Sequence, residues 1–125
     1  MHQEDRRQRR SVDPLVALHY QLSQARTNGS LDAIVVADAS GVVVAGAGSW
    51  AACEELAAYA PLLVRGSDSL SADASRIEVL RKETAVTSFE IDEQEVLVCV
   101  RGGQQRMSSL EAAAFGVERI LRAAA

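Results

Sequence analysis

Two short apolar runs separated by a turn form the centre of the hydrophobic pattern in this chain. The runs at residues 34–36 and 42–44 are β-branched, which favours β-strands. The turn between them contains Asp38 and ends on Gly41, which can adopt the positive φ that a hairpin loop requires. Because neither run alternates apolar with polar residues, we predict a hairpin over residues 31–47 whose first strand is covered on both faces.

Apolar residues at helical spacing predict three helices around this hairpin. The first begins at Asp13 and Pro14, where Asp13 can cap the helix and Pro14 suits its first position, and it ends near residues 28–29. The second spans about residues 50–64 and the last about residues 105–123.

The middle predicted helix is apolar on two sides. One stripe has the spacing of a core-facing side and comprises Cys53, Leu56, Ala57, Ala60 and Leu63. The opposite side is mostly small or apolar and includes Ala51, Glu55, Ala58 and Leu62. A helix that is apolar on two sides is covered on both. We therefore predict that the first stripe packs on the sheet and that the second side forms a dimer face.

Three further strands are predicted in the second half of the chain. Residues 77–82 alternate, with Ile77, Val79 and Arg81 on one face, which is typical of a half-exposed edge strand. Residues 84–91 alternate more regularly, whereas residues 96–100 are all apolar and belong in the middle of a sheet. Short connections predict antiparallel neighbours. The predicted fold class is α/β (α+β), a five-stranded antiparallel sheet between helices in the order αββαβββα.

Charge narrows the classes of partner. Residues 1–12 contain four arginines and two acidic residues, a net charge of +2. The whole chain of 125 residues has a net charge of −4, so the other 113 residues carry −6. An acidic body argues against nucleic acid as the main partner. We expect residues 1–12 to be a flexible polar tail and residues 13–125 to be one domain. We find neither a membrane span nor a secretory signal, so a cytoplasmic location is expected.

The sequence contains no motif with the residue spacing of a catalytic site, a cofactor site or a metal site. Cys53 and Cys99 lie in apolar sequence, where thiols are inert. His19 is the only histidine after residue 12, so a pairing of Cys99 with His19 is the one nucleophilic arrangement to weigh. We therefore expect no catalytic residues, no cofactor and no metal ion.

The order of elements resembles the roadblock/dynein light chain family. The segment AIVVADASGVVVAGA follows an amphipathic helix, and its Asp38-x-x-Gly41 turn is similar to the turn between two valine-rich strands of that family. The segment IEVLRKETAVTSFEIDEQEVLVCVRG and the helix after it are similar to the family's three-stranded meander and last helix. The resemblance covers residues 13–123, and longin and profilin-like domains share this shape.

This resemblance implies a bacterial, non-enzymatic homodimer that regulates or serves as a scaffold for a small Ras-like GTPase or a motor or polarity complex, in some relatives by stimulating GTP hydrolysis. In the family, two sheets join edge to edge and the middle helices pack together. By position, the dimer interface would comprise Ala51, Glu55, Ala58, Leu62, Ile77, Val79 and Arg81. The alternative is a profilin-, PAS- or GAF-like sensor whose small-ligand pocket would be lined by residues such as Trp50, Tyr59 or Phe89.

Overall fold

Four helices and four strands make up the computed structural model, which describes residues 13–65 and 74–125. In chain order they are α1 (Pro14–Gly29), β1 (Leu31–Asp38), β2 (Val43–Ala47), α2 (Trp50–Arg65), α3 (Ala74–Glu83), β3 (Thr84–Ile91), β4 (Gln94–Gly102) and α4 (Arg106–Ala124). These bounds confirm the predicted hairpin and the three predicted helices. The predicted tail at residues 1–12 lies outside the described residues. None of the helices described is long and apolar enough to cross a membrane.

β1 and β4 form the centre of an antiparallel sheet with the strand order β2-β1-β4-β3. β1 pairs on both sides, so that Ile34 lies opposite both Ala47 and Val100. Residues 33–37 of β1 and residues 97–100 of β4 are all buried. The structure therefore confirms the prediction that these two apolar runs lie in the middle of the sheet, covered on both faces.

Helices cover both faces of this sheet. On one face, α1 and α4 bury Leu22 and Val117 against Ile34 of β1. On the other face, α2 and α3 bury Leu56 and Leu80 in one core with Val35 of β1 and Leu97 of β4. Successive strand residues point to opposite faces, which is why one continuous apolar strand can serve two cores. All five residues of the predicted core-facing stripe of α2 lie in the second core.

The predicted fifth strand at residues 77–82 is wrong, because these residues belong to α3 and the sheet has four strands. In the helix, Ile77 and Leu80 are buried three residues apart, whereas Val79 between them is 43% exposed. Residues three apart share one side of a helix, while residues two apart share one side of a strand. The apolar pair that matters is therefore Ile77 with Leu80, and not Ile77 with Val79.

The turn between β1 and β2 is built around the carboxylate of Asp38. Its Oδ1 accepts hydrogen bonds from Ser40 N at 2.9 Å, from Ser40 Oγ at 2.7 Å and from Val42 N at 3.0 Å. Gly41 completes the turn with a φ of +87°. The hydrogen bond from the Ser40 side chain, followed by that from the Val42 backbone, holds the pKa of Asp38 below its ordinary value.

We expect Asp38 to contribute to a loss of stability in acid. The ionised form is favoured in the folded protein, so its contribution is fully present above the pKa of an unfolded aspartate, about 3.9. It is lost as the pH falls through the lower folded-state pKa. Urea unfolding at pH 7 and at pH 2.5 should therefore show a smaller acid-induced loss in Asp38→Asn than in the wild-type protein.

Asp13 is the matched control for this experiment, because it precedes α1 without making a side-chain cap hydrogen bond. We expect Asp13→Asn to lose as much stability in acid as the wild-type protein does. An equal loss in Asp38→Asn and the wild type would contradict the role given to the Asp38 carboxylate.

Candidate functional site

The residues of α2 that were predicted for a dimer interface have different surroundings. Ala51 and Ala58 are exposed on the outer side of the helix. Leu62 is half-buried and packs against the core beneath α2 and α3. The two alanines are therefore accessible to a partner, whereas part of Leu62 is already used inside the chain.

Glu55, the fourth of these residues, is the centre of an ion-pair network that joins α2, α3 and β4. Its carboxylate accepts hydrogen bonds from Arg76 Nε at 3.0 Å and Arg76 Nη2 at 2.6 Å, and it lies 3.4 Å from Arg101 Nη1. Arg101 also pairs with Glu83 at 3.1 Å. The charge-assisted hydrogen bond from Arg76 is the main reason that the pKa of Glu55 is lowered. Glu55 thus holds α3 against α2, a role that the sequence did not reveal.

The predicted interface residues of α3 are also dispersed. Ile77 is buried in the core, and Val79 lies on the exposed side of the helix. Arg81 lines a cleft beside the beginning of β3, together with Thr84 and Ala85. The structure therefore brings Arg81 to an edge of the sheet and directs Ile77 away from it. Participation of all seven residues in a dimer interface stays a prediction.

β3 is an edge strand that has one side unpaired. It pairs with β4 from Thr84 to Ile91, and within the described part of the chain no strand lies along its other side. An unpaired edge presents backbone N–H and C=O groups to which another strand can bind. The free edge is therefore β3, and not the edge strand that was predicted one element earlier, at residues 77–82.

The opposite edge of the sheet is less suited to pairing. β2 has only five residues, and its register with β1 shifts between Val36 and Ala37. The ring nitrogen Nδ1 of His19 on α1 lies 3.3 Å from the carbonyl oxygen of Gly46. A short and irregular edge is a poor template for another strand, so β3 is the candidate site.

An apolar flank on α4 borders the β3 edge. Met107 is 59% exposed and Phe115 is 72% exposed. Both line a groove of about 390 Å³ together with residues 86–89 of β3. Large exposed apolar side chains beside an unpaired edge indicate an interaction site. Phe115 lies off the buried side of α4, which carries Leu110, Ala113 and Val117, and this spacing can be seen in the sequence.

The two ends of the β3 edge carry an excess of opposite charge, because Glu83 at one end pairs with Arg101 and Arg122 at the other end pairs with Glu118. Three basic residues lie where the strand begins, namely Arg81, Lys82 and Arg106. Three exposed acidic residues lie where it ends, namely Glu90, Asp92 and Glu93. If the same edge of a second copy ran in the opposite direction, each basic end would face an acidic end.

The residues that were weighed for catalysis or ligand binding lie apart. Cys99 is buried between the sheet and α2, and burial raises the pKa of its thiol to about 12. His19 is exposed on α1, on the other side of the sheet. Tyr59 and Phe89 pack on opposite faces of the sheet, so they do not line one pocket. In the described stretches of the chain, no group of three His, Cys, Asp or Glu residues could hold a metal ion.

A polar cleft of about 710 Å³ lies between the end of α1 and the beginning of α4. It is lined by Asn28, Ser30, Gln104, Gln105 and Ser109, among others. Small-ligand pockets are mostly apolar with a few polar groups, and this cleft lacks that composition. Trp50, the third aromatic residue weighed for a ligand pocket, is 64% exposed at the first position of α2.

Comparison with known proteins adds no family to this description. No protein-family model matches the sequence, and a search of curated proteins found no significant match. The resemblance to the roadblock/dynein light chain family therefore stays a prediction made from the pattern of the sequence.

Proposed function

We propose that this protein is a non-enzymatic, cytoplasmic homodimer that regulates or serves as a scaffold for a small Ras-like GTPase or a motor or polarity complex. The single observation that supports the homodimer best is the free β3 edge, with Met107 and Phe115 beside it and opposite charges at its two ends. The class of partner rests on the resemblance to the roadblock/dynein light chain family.

A second copy suits this edge because the edge is complementary to itself. In a twofold dimer the same patch meets itself, so antiparallel β3 strands would bring Lys82 of each copy near Glu90 of the other. Each exposed ion pair contributes only about 0.2–1 kcal/mol. Most of the stability would come from backbone pairing and from the burial of Met107 and Phe115. The charges would select the antiparallel direction.

The exposed side of α2 would not belong to the same contact. Ala51 and Ala58 lie on the exposed outer side of α2, whereas the side of α2 that packs on the sheet is buried. A dimer formed through β3 alone would leave both alanines uncovered. α2 therefore provides a control position for testing the interface.

A charge exchange tests the dimer. Lys82→Glu or Glu90→Lys alone should raise the dimer dissociation constant by about three- to tenfold, because each places like charges near each other at two symmetric contacts. The double variant should recover the wild-type value, since both signs are exchanged. Glu90 lies opposite Glu95 within the monomer, so the lysine should not destabilise the fold. Sedimentation equilibrium over a range of protein concentrations measures the constant.

Ala51→Glu is the control, because it adds a charge on the exposed side of α2 and leaves the edge intact. We expect no change in its dimer dissociation constant. A dimer that responds to Ala51→Glu and not to Lys82→Glu would place the interface on α2. A protein that is monomeric at every concentration would refute the homodimer.

The GTPase part of the proposal needs a separate measurement. Wild-type protein and the Lys82→Glu variant are immobilised, incubated with lysate of the source organism and washed, and the eluates are assayed for binding of labelled GTPγS. We expect the wild-type eluate to bind the nucleotide above the level of an uncoated resin. A dimer whose eluate binds no nucleotide would contradict the GTPase part and leave the homodimer standing.

A further inference from the structure

An apolar cleft with an acidic rim lies at the end of the sheet where β1 finishes. It has a volume of about 330 Å³, and we refer to it as the end cleft. Its apolar lining includes Val44, Val96 and Leu121, and its acidic rim comprises Asp38, Asp92 and Glu95. The cleft does not overlap the apolar flank on α4.

The beginning of α1 lies at the same end of the sheet as this cleft. Gly29 of α1 lies beside Ser109 of α4, and Gln21 lies beside Gly116, so the two helices run antiparallel. The start of α1 is therefore next to the end of α4, where Leu121 lines the cleft. The chain that precedes α1 enters the described structure at this point.

The acidic residues of the rim are only partly neutralised by ion pairs with basic residues that the structure describes. Glu95 pairs with Arg65 at 3.1 Å. Asp92 and the adjacent Glu93 are exposed, and neither takes part in an ion pair between residues that the structure describes. A basic segment at this end of the sheet would be attracted to this rim.

The residues before α1 have the matching charge and sufficient reach. Arginine occupies positions 6, 7, 9 and 10. An extended chain spans about 3.3–3.6 Å per residue, so positions 10 and 6 are within about 10 and 25 Å of residue 13. Arginine also suits a cleft of this composition, because its aliphatic stem covers apolar surface while its guanidinium bonds to carboxylates.

We propose that residues 6–10 of this chain bind in the end cleft of the same chain, with arginine stems on the apolar lining and guanidinium groups at Asp92 and Glu93. The sequence alone predicted a flexible tail here, because it does not show which acidic residues lie at the same end of the sheet as the start of α1. The proposal does not depend on the proposed function, because the contact lies within one copy of the chain, although Asp92 and Glu93 also belong to the acidic end of the β3 edge.

A spin label in this segment tests the proposal. Gln8→Cys places a thiol for a nitroxide in this segment, whereas Cys53 and Cys99 are free but buried. We expect strong paramagnetic relaxation enhancement at the amides of Val44, Val96 and Leu121, and none at the opposite end of the sheet. Raising the salt from 0.05 to 0.5 M should reduce the enhancement about threefold or more, because exposed charges are screened.

Two double variants with equal changes in net charge distinguish binding in the cleft from a general attraction between the arginines and the acidic protein. Asp92→Asn with Glu93→Gln should reduce the enhancement as salt does, whereas Glu54→Gln with Glu111→Gln, which changes exposed acids elsewhere, should leave it unchanged. Weak enhancement spread over the whole surface would overturn the proposal. So would full enhancement between a labelled copy and a separate isotope-enriched copy, because the segment would then bind in another molecule.

Discussion

Replacing Leu80 with alanine is expected to lower the free energy of unfolding by about 2–5 kcal/mol, whereas Val79→Ala should lower it by less than about 1 kcal/mol. The difference follows from α3, in which Leu80 is fully buried and Val79 lies on the exposed side. Alanine also has a higher helix propensity than valine, which offsets part of the small loss at residue 79. Urea unfolding of the two variants at neutral pH provides the measurement.

Ile77→Ala completes the comparison and distinguishes a helix from a strand. Ile77 is 4% exposed, so in a helix its replacement should cost about as much as that of Leu80, roughly 2–5 kcal/mol. A strand would place Ile77 and Val79 on one face and Leu80 on the other. Large losses at residues 77 and 79 with a small loss at 80 would therefore contradict α3 and restore the predicted fifth strand.

Contacts from other elements explain why this segment is helical although its sequence alternates. Arg106 donates hydrogen bonds to the carbonyl oxygens of Glu83 at 2.7 Å and Lys82 at 3.1 Å, which satisfies backbone groups that a helix end leaves free. Arg76 and Glu83 are both tied to the network around Glu55. The segment also contains good helix formers and neither glycine nor proline.

Gly102→Ala is expected to lower the free energy of unfolding by about 2–3 kcal/mol. Gly102 has a φ of +82°, a conformation that costs an L-residue about 1–2 kcal/mol. An added Cβ would also lie 2.6 Å from Asp32 Oδ2 and 3.0 Å from the Asp32 backbone nitrogen. Gly102 ends β4, a central strand of the sheet, and is paired with Leu31 of β1. The strain would therefore weaken the pairing of the two central strands at this end. Urea unfolding measures the change.

The double variant Asp32→Ala with Gly102→Ala divides this effect into its two causes. Removal of the Asp32 carboxylate should recover the steric cost of the side chain, whereas the close contact with the Asp32 backbone nitrogen and the cost of the positive φ should remain. A Gly102→Ala protein as stable as the wild type would show that the end of β4 relaxes without strain, contrary to this explanation.

The predictions that the structure confirmed depend on patterns within single elements. The hairpin over residues 31–47 is marked by two β-branched runs around Asp38 and Gly41, and the turn there is closed by local hydrogen bonds. The core-facing stripe of α2 is marked by helical spacing, and all of it is buried. Such patterns can be recognised from the sequence because the residues that satisfy them are neighbours along the chain.

The features that could not be predicted from the sequence depend on contacts between residues that are far apart in the chain. The sequence by itself determined the hairpin, the three longer helices and the two central strands, because their hydrophobic periodicity is strong enough to select one local structure. Only the tertiary structure decided that residues 74–83 form a helix, that β3 is the free edge, and that Glu55 joins α2 to α3. A short segment with a few apolar residues fits either periodicity, so the partners that it meets in space select its conformation and the surface that remains open.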